Sequence, residues 1–186
     1  MSMRNRLGRH FAIPAAALVV ALGAAAYASN VHLKPPTSSP SFNDLGLQLN
    51  AAASLAGLGN ADVVIHMDAT ADATATCTNP GGSGTQPPGQ NPAPVTVSGT
   101  QIIPQSEIKN GNVSFSVTTT GPQTPIPGAP GCPNAAWTED ITDLLFTSAT
   151  ITVAQGGVTE LTLSCTFSPP TSNGPVPKQT ASCTAA

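Results

Sequence analysis

Residues 63–77 read VVIHMDATADATATC, and their alternation decides the fold class. The odd positions, Val63, Ile65, Met67, Ala69, Ala71, Ala73, Ala75 and Cys77, are all apolar. From His66 onward the even positions, His66, Asp68, Thr70, Asp72, Thr74 and Thr76, are all polar. A period of two sends successive side chains to opposite faces, so this is a strand with one dry face and one wet one. Such a strand cannot hide its dry face alone; an opposing apolar layer must cover it, which predicts a packed sheet protein.

Toward the C-terminus, residues 78–94, 121–133 and 168–177 are rich in Pro and Gly and hold fourteen of the eighteen prolines that follow residue 28. Proline cannot donate to a ladder, so its confinement leaves the intervening segments free to pair. They predict strands near 95–102, 112–119, 138–154 and 158–167, with a short closing strand near 179–183. Asn110-Gly111 is a tight-turn signal, and Gln155-Gly156-Gly157 marks a hairpin between Val153 and Leu161. Toward the N-terminus, Leu45, Leu47, Leu49, Ala51, Ala53 and Leu55 alternate with mostly polar neighbours and predict one more strand, although Ala51-Ala52-Ala53 also suits a helix. About seven strands with Pro and Gly turns and no amphipathic helix fit an all-β, immunoglobulin-like β-sandwich over residues 42–186. Phe42, Phe115, Phe146, Phe167 and Trp137 are expected to plug its core.

Arg4, Arg6 and Arg9 precede an uncharged run that ends in Ala26-Tyr27-Ala28, the pattern of a cleaved secretory signal over residues 1–28. An uncleaved anchor is the alternative, weakened by Pro14, Gly23 and the many alanines. Residues 29–41, with Pro35-Pro36 and Pro40, read as a flexible linker. After cleavage three lysines, Lys34, Lys109 and Lys178, face nine carboxylates, a net of minus six. No two basic residues adjoin, which argues against nucleic acid and anionic membrane surfaces as partners.

Cys77, Cys132, Cys165 and Cys183 all survive cleavage, and an even count in an exported chain predicts two disulfides. Cys165 and Cys183 lie on strands that a hairpin brings together, while Cys77 and Cys132 both flank long loops. That favours Cys77 with Cys132 and Cys165 with Cys183; an inter-sheet Cys77 to Cys165 bridge is the alternative. The close cysteine spacings of a zinc site are absent.

Gly57-Leu58-Gly59-Asn60-Ala61-Asp62, Cys77-Thr78-Asn79-Pro80-Gly81-Gly82, Glu107-Ile108-Lys109-Asn110-Gly111-Asn112 and Phe146-Thr147-Ser148-Ala149-Thr150-Ile151-Thr152-Val153 resemble segments of small, functionally uncharacterised secreted bacterial proteins with a disulfide-bonded β-domain. The resemblance spans most of the chain after residue 28. It implies an exported bacterial domain and carries no activity, ligand or site residue.

Candidate chemistry is sparse. His66 and Asp68 share the wet face of the organising strand and could serve a metal or a triad, but no Ser sits in a G-x-S-x-G elbow. Glu139, Asp140 and Asp143 cluster on one segment and could hold calcium with loop carbonyls, without the EF-hand spacing. Gly81-Gly82-Ser83-Gly84 lacks the Lys-Ser/Thr of a phosphate cradle, and Asn112-Val113-Ser114 is a sequon without consequence in a bacterial exported chain. The expectation is a secreted, non-enzymatic domain, structural or binding, with an extracellular protein or surface glycan as partner and no metal, cofactor or catalytic residue. The alternative is a secreted hydrolase using His66 and Asp68.

Overall fold

A computed structural model describes residues 30–36, 39–81 and 93–186. The expected export signal, and the glycine loop beyond Gly81, lie outside the described residues. In chain order the described residues form ten strands: β1 (His32–Leu33), β2 (Ser41–Asp44), β3 (Leu49–Ala56), β4 (Val63–Thr78), β5 (Val95–Ile103), β6 (Val113–Thr118), β7 (Thr138–Gln155), β8 (Val158–Phe167), β9 (Gly174–Pro175) and β10 (Ala181–Ala185). Two short 3-10 turns are the only helical pieces among them. No helix of the described residues is long and apolar enough to cross a membrane.

The strands make a β-sandwich of two antiparallel five-stranded sheets. In sheet A, β3 has β6 on one side and β1 and β2 end to end on the other, with β9 beyond β2. Sheet B runs β10-β8-β7-β4-β5. The ten strands exceed the expected seven because β1, β2 and β9 are too short to carry a pattern. Residues 29–41, read as a linker on composition, contain β1, and Val31 beside it is buried.

The strand expected from Leu45 onward is divided. Asp44 Oδ1 accepts the Gly46 amide at 2.9 Å, Gly46 takes φ of 85°, and the chain turns over before β3 begins at Leu49. Leu45 therefore points to solvent. The two glycine turns form as read: Asn110 and Gly111, and Gly156 and Gly157, all have positive φ, the requirement of two-residue hairpin turns. Both favoured disulfides form, Cys77–Cys132 and Cys165–Cys183, with no free cysteine. Such bridges suit an oxidising compartment.

Every odd position from Val63 to Cys77 is buried. The small inward residues of β4 sit beside large ones of β7: Ala71 pairs with Phe146, Ala73 with Leu144 and Ala75 with Ile141. Small against large fills one layer without voids. Phe42, Phe115, Phe146 and Phe167 all join this core, and Phe42 meets Phe167 edge to face at 5.0 Å. Trp137 does not; it stays half-buried where the 121–133 loop meets β7, so the loop ends claim it. Ala71→Leu is expected to destabilise by about 1 to 3 kcal/mol through overpacking beside Phe146. Thr70→Val, on the wet face, should change stability by less than about 1 kcal/mol. Urea unfolding of the two variants checks the face assignment; the reverse order contradicts it.

β7 holds eighteen residues against sixteen in β4, and the surplus is taken up in two bulges. Thr147 is skipped between Ser148 and Phe146, and Thr142 between Asp143 and Ile141. Each skipped threonine donates its hydroxyl back to β4, Thr147 to the Thr70 carbonyl and Thr142 to the Thr74 carbonyl, both at 3.2 Å. The bulges shift the inward parity of β7 twice, which is why Ile141, Phe146 and Ile151 all face the core.

Candidate functional site

The outer face of sheet B carries a repeated chemistry that comes from register. One row crosses all five strands: Thr184, Ser164, Thr150, Asp68 and Ser98 are successive cross-strand partners. A second runs Ser182, Thr166, Ser148, Thr70 and Thr96. A third runs Thr162, Thr152, His66 and Thr100. Neighbours within a row are about 4.8 Å apart, the strand spacing, and rows are about 7 Å apart, two residues along a strand. All these side chains are exposed or half-buried.

His66 and Asp68 lie within this array. His66 Nε2 is 3.3 Å from Asp68 Oδ1, His66 Nδ1 is 2.9 Å from Thr100 Oγ1, and Ser98 donates to Asp68 Oδ1 at 2.6 Å. The order Thr100, His66, Asp68 is that of a nucleophile, a base and an orienting acid. Its setting is an open sheet face, with the His66 and Asp68 side chains 44% and 49% exposed. β4 is paired on both sides, so its amides are spent in ladders and cannot stabilise an oxyanion.

The carboxylates of β7 do not converge. Strand alternation and the bulge turn Glu139 inward and fully bury it, leave Asp140 on the other face, and set Asp143 beside the 45–48 turn near Asp44. Among the described residues no three His, Cys, Asp or Glu side chains gather as a metal site. His32 bonds the Asn30 carbonyl, and the Asn112 amide bonds the Asn110 carbonyl.

Asp44 is a buried acid that links the sheets. Thr171 donates its hydroxyl to Asp44 Oδ2 and accepts the Phe146 amide at 2.9 Å. Burial pushes the Asp44 carboxyl above its ordinary value, and Asp143 adds to this against the opposing bonds from Thr171 and Gly46. A raised carboxyl holds its proton more tightly folded than unfolded, so its contribution to stability grows as pH falls through its folded value toward 3.8. Between pH 7 and pH 4, the stability of the wild type relative to Asp44→Asn is therefore expected to move in the wild type's favour. Urea unfolding at intervals across that range measures it; a constant difference, or one that moves the other way, contradicts the assignment.

The sequence readings missed the rows and the buried Glu139. The rows depend on pairing between strands far apart in sequence, which no local pattern reports. Glu139 had a signal: it lies two residues before the apolar Ile141, on the inward parity.

No protein-family model, no curated protein and no solved structure matches this chain. The functional reading therefore rests on geometry.

Proposed function

We propose that the chain is an exported bacterial domain of immunoglobulin-like sandwich type, without catalytic activity, whose outer sheet B face binds an extended, uncharged polysaccharide chain. The rows of hydroxyls across five strands carry this reading. One exposed hydroxyl adds little, because water competes for it and a net hydrogen bond is worth only about 0.5 to 1.5 kcal/mol. A polymer that offers donors and acceptors at the strand spacing engages many at once. Among the described residues the face carries none of the aromatic and arginine anchors that dominate protein interfaces, which favours a glycan over a protein. The excess of carboxylates over basic residues disfavours polyanions. Sheet twist rotates each strand by about 20° from the last, so a single pliable chain follows the rows better than a flat crystalline ribbon does.

Cosedimentation with amorphous and crystalline preparations of chitin and of cellulose tests it. Retention is expected on the amorphous form of at least one, and Thr150→Lys, in the middle of the first row, should abolish it. Unchanged binding by that variant, or retention on neither polymer, contradicts the reading. The Thr100, His66 and Asp68 chain favours a second reading, a hydrolase; turnover of an activated ester that is lost in His66→Ala supports it over the first.

A further inference from the structure

Sheet A has a notch where two strands share one edge of β3. β1 covers that edge at Leu55 and Ala56, and β2 covers it from Leu49 to Ala52, so Ala53 and Ser54 lie at the join. Lys34 makes the last contact on the β1 side, donating its amide to the Ser54 carbonyl at 2.8 Å. Pro35 has no amide with which to continue, and the chain leaves the ladder. It rejoins at Ser41, whose hydroxyl donates to the Ala52 carbonyl at 3.1 Å. The excursion leaves a pocket with a volume near 530 Å³.

Lys34 and Lys178 both line this pocket. Lys178 arrives from the far end of the chain: Val176 donates its amide to the Phe42 carbonyl at 3.0 Å, which fastens the segment after β9 to β2, and the 3-10 turn Lys178–Thr180 follows. Two of the three lysines beyond residue 28 therefore meet here, while Lys109 donates to the Ser106 carbonyl elsewhere. Among the described residues that line the pocket there is no Asp or Glu, in a chain with nine carboxylates. Hydroxyls complete the lining. Ser54 and Ser114 bond each other at 2.8 Å; two hydroxyls so joined share one hydrogen, and the other remains to donate.

Two ammonium groups are too few to hold a polyanion, whose binding grows with the number of charges neutralised. They match one doubly charged group. A carboxylate would engage one lysine and leave the second unused, whereas a phosphate monoester carries about −1.5 to −2 charge at pH 7 and three acceptor oxygens. The pocket is larger than a phosphate, and Pro35, Pro36 and Ala52 offer apolar surface to whatever the phosphate is attached to.

We infer that the notch binds a phosphate monoester, with Lys34 and Lys178 on the phosphate and the prolines against the organic body. Both lysines are exposed, so the site acts at contact range and its affinity is modest. It lies on sheet A and does not depend on the glycan reading of sheet B.

The test compares phenyl phosphate with phenyl sulfate, close in shape but singly charged, by amide chemical shifts of the disulfide-bonded protein at pH 7, above the second phosphate pKa of about 6. Saturable shifts are expected at Lys34, Ser54, Ser114 and Lys178, with phenyl phosphate bound about fivefold more tightly. Lys34→Gln and Lys178→Gln, both on exposed positions, should each remove that preference, and Lys109→Gln should keep it. Inorganic phosphate should bind more weakly than phenyl phosphate because it leaves the prolines uncovered; equal affinity would overturn the ester and leave a free-phosphate site. Equal affinity for phenyl phosphate and phenyl sulfate, no saturable shift at millimolar phenyl phosphate, or the same loss in Lys109→Gln overturns the proposal.

Discussion

Replacing Cys77 and Cys132 together by alanine is expected to lower the unfolding free energy by about 4 kcal/mol, against about 3 kcal/mol for the Cys165 and Cys183 pair. The order follows from the unfolded chain. The first bridge joins residues 55 apart and the second residues 18 apart, and a longer closed loop removes more entropy from the unfolded ensemble. Alanine avoids placing a hydroxyl where Cys77 and Cys165 are buried. The short bridge also adds less to what is already fixed, because Cys165 and Cys183 face each other in a β8 to β10 ladder that pairs five residues. The long one alone ties the 121–133 loop to β4. Urea unfolding of the two double variants gives both values; a larger loss from the Cys165 and Cys183 pair contradicts this account.

Gly99→Ala should be nearly as damaging, at about 3 kcal/mol. Gly99 lies buried on β5 where the end of β6 crosses from sheet A, and Thr120 donates its amide to the Ser98 carbonyl at 2.8 Å. A Cβ on Gly99 would lie 2.1 Å from the Thr118 carbonyl oxygen and 2.8 Å from the Thr119 Cα. These are backbone atoms, so relief requires moving β6 against β5 rather than turning a side chain. Gly121→Ala is the control: its nearest neighbour is 3.7 Å away, in ordinary contact, and the change should stay within about 1 kcal/mol. Equal melting temperatures for the two variants would show that the sheets do not approach at Gly99.

What the sequence disclosed depended on whether a pattern was local. β4 was legible because its sixteen residues keep one parity from end to end. β7 kept its parity only in pieces, yet the apolar series Ile141, Leu144, Phe146, Ala149, Ile151 and Val153 contains two steps of three, and each marks a bulge. The β2 to β3 turn was hidden because Leu45 and Leu47 alternate in phase with Leu49, although Asp44 and Gly46 carry the turn chemistry. Both disulfides were inferable because Cys165 and Cys183 lay on adjacent strands and Cys77 and Cys132 both flanked long loops. The candidate surfaces were not. Glu139 shares the inward parity of Ile141, a signal that its acidic neighbour Asp140 masks, and the hydroxyl rows exist only once β4, β5, β7, β8 and β10 are in register.

The register of sheet B thus gives both its core and its proposed binding face, and footprinting that face tests the claim most directly. Chemical-shift mapping of the isotope-labelled protein against chitohexaose and cellohexaose should show shifts at Thr150, Ser164, Asp68, Ser98, Thr152 and Thr70, spread over four strands of one face. Shifts confined to the loops, or to the edge of β5 with Thr150 and Ser164 silent, would contradict it.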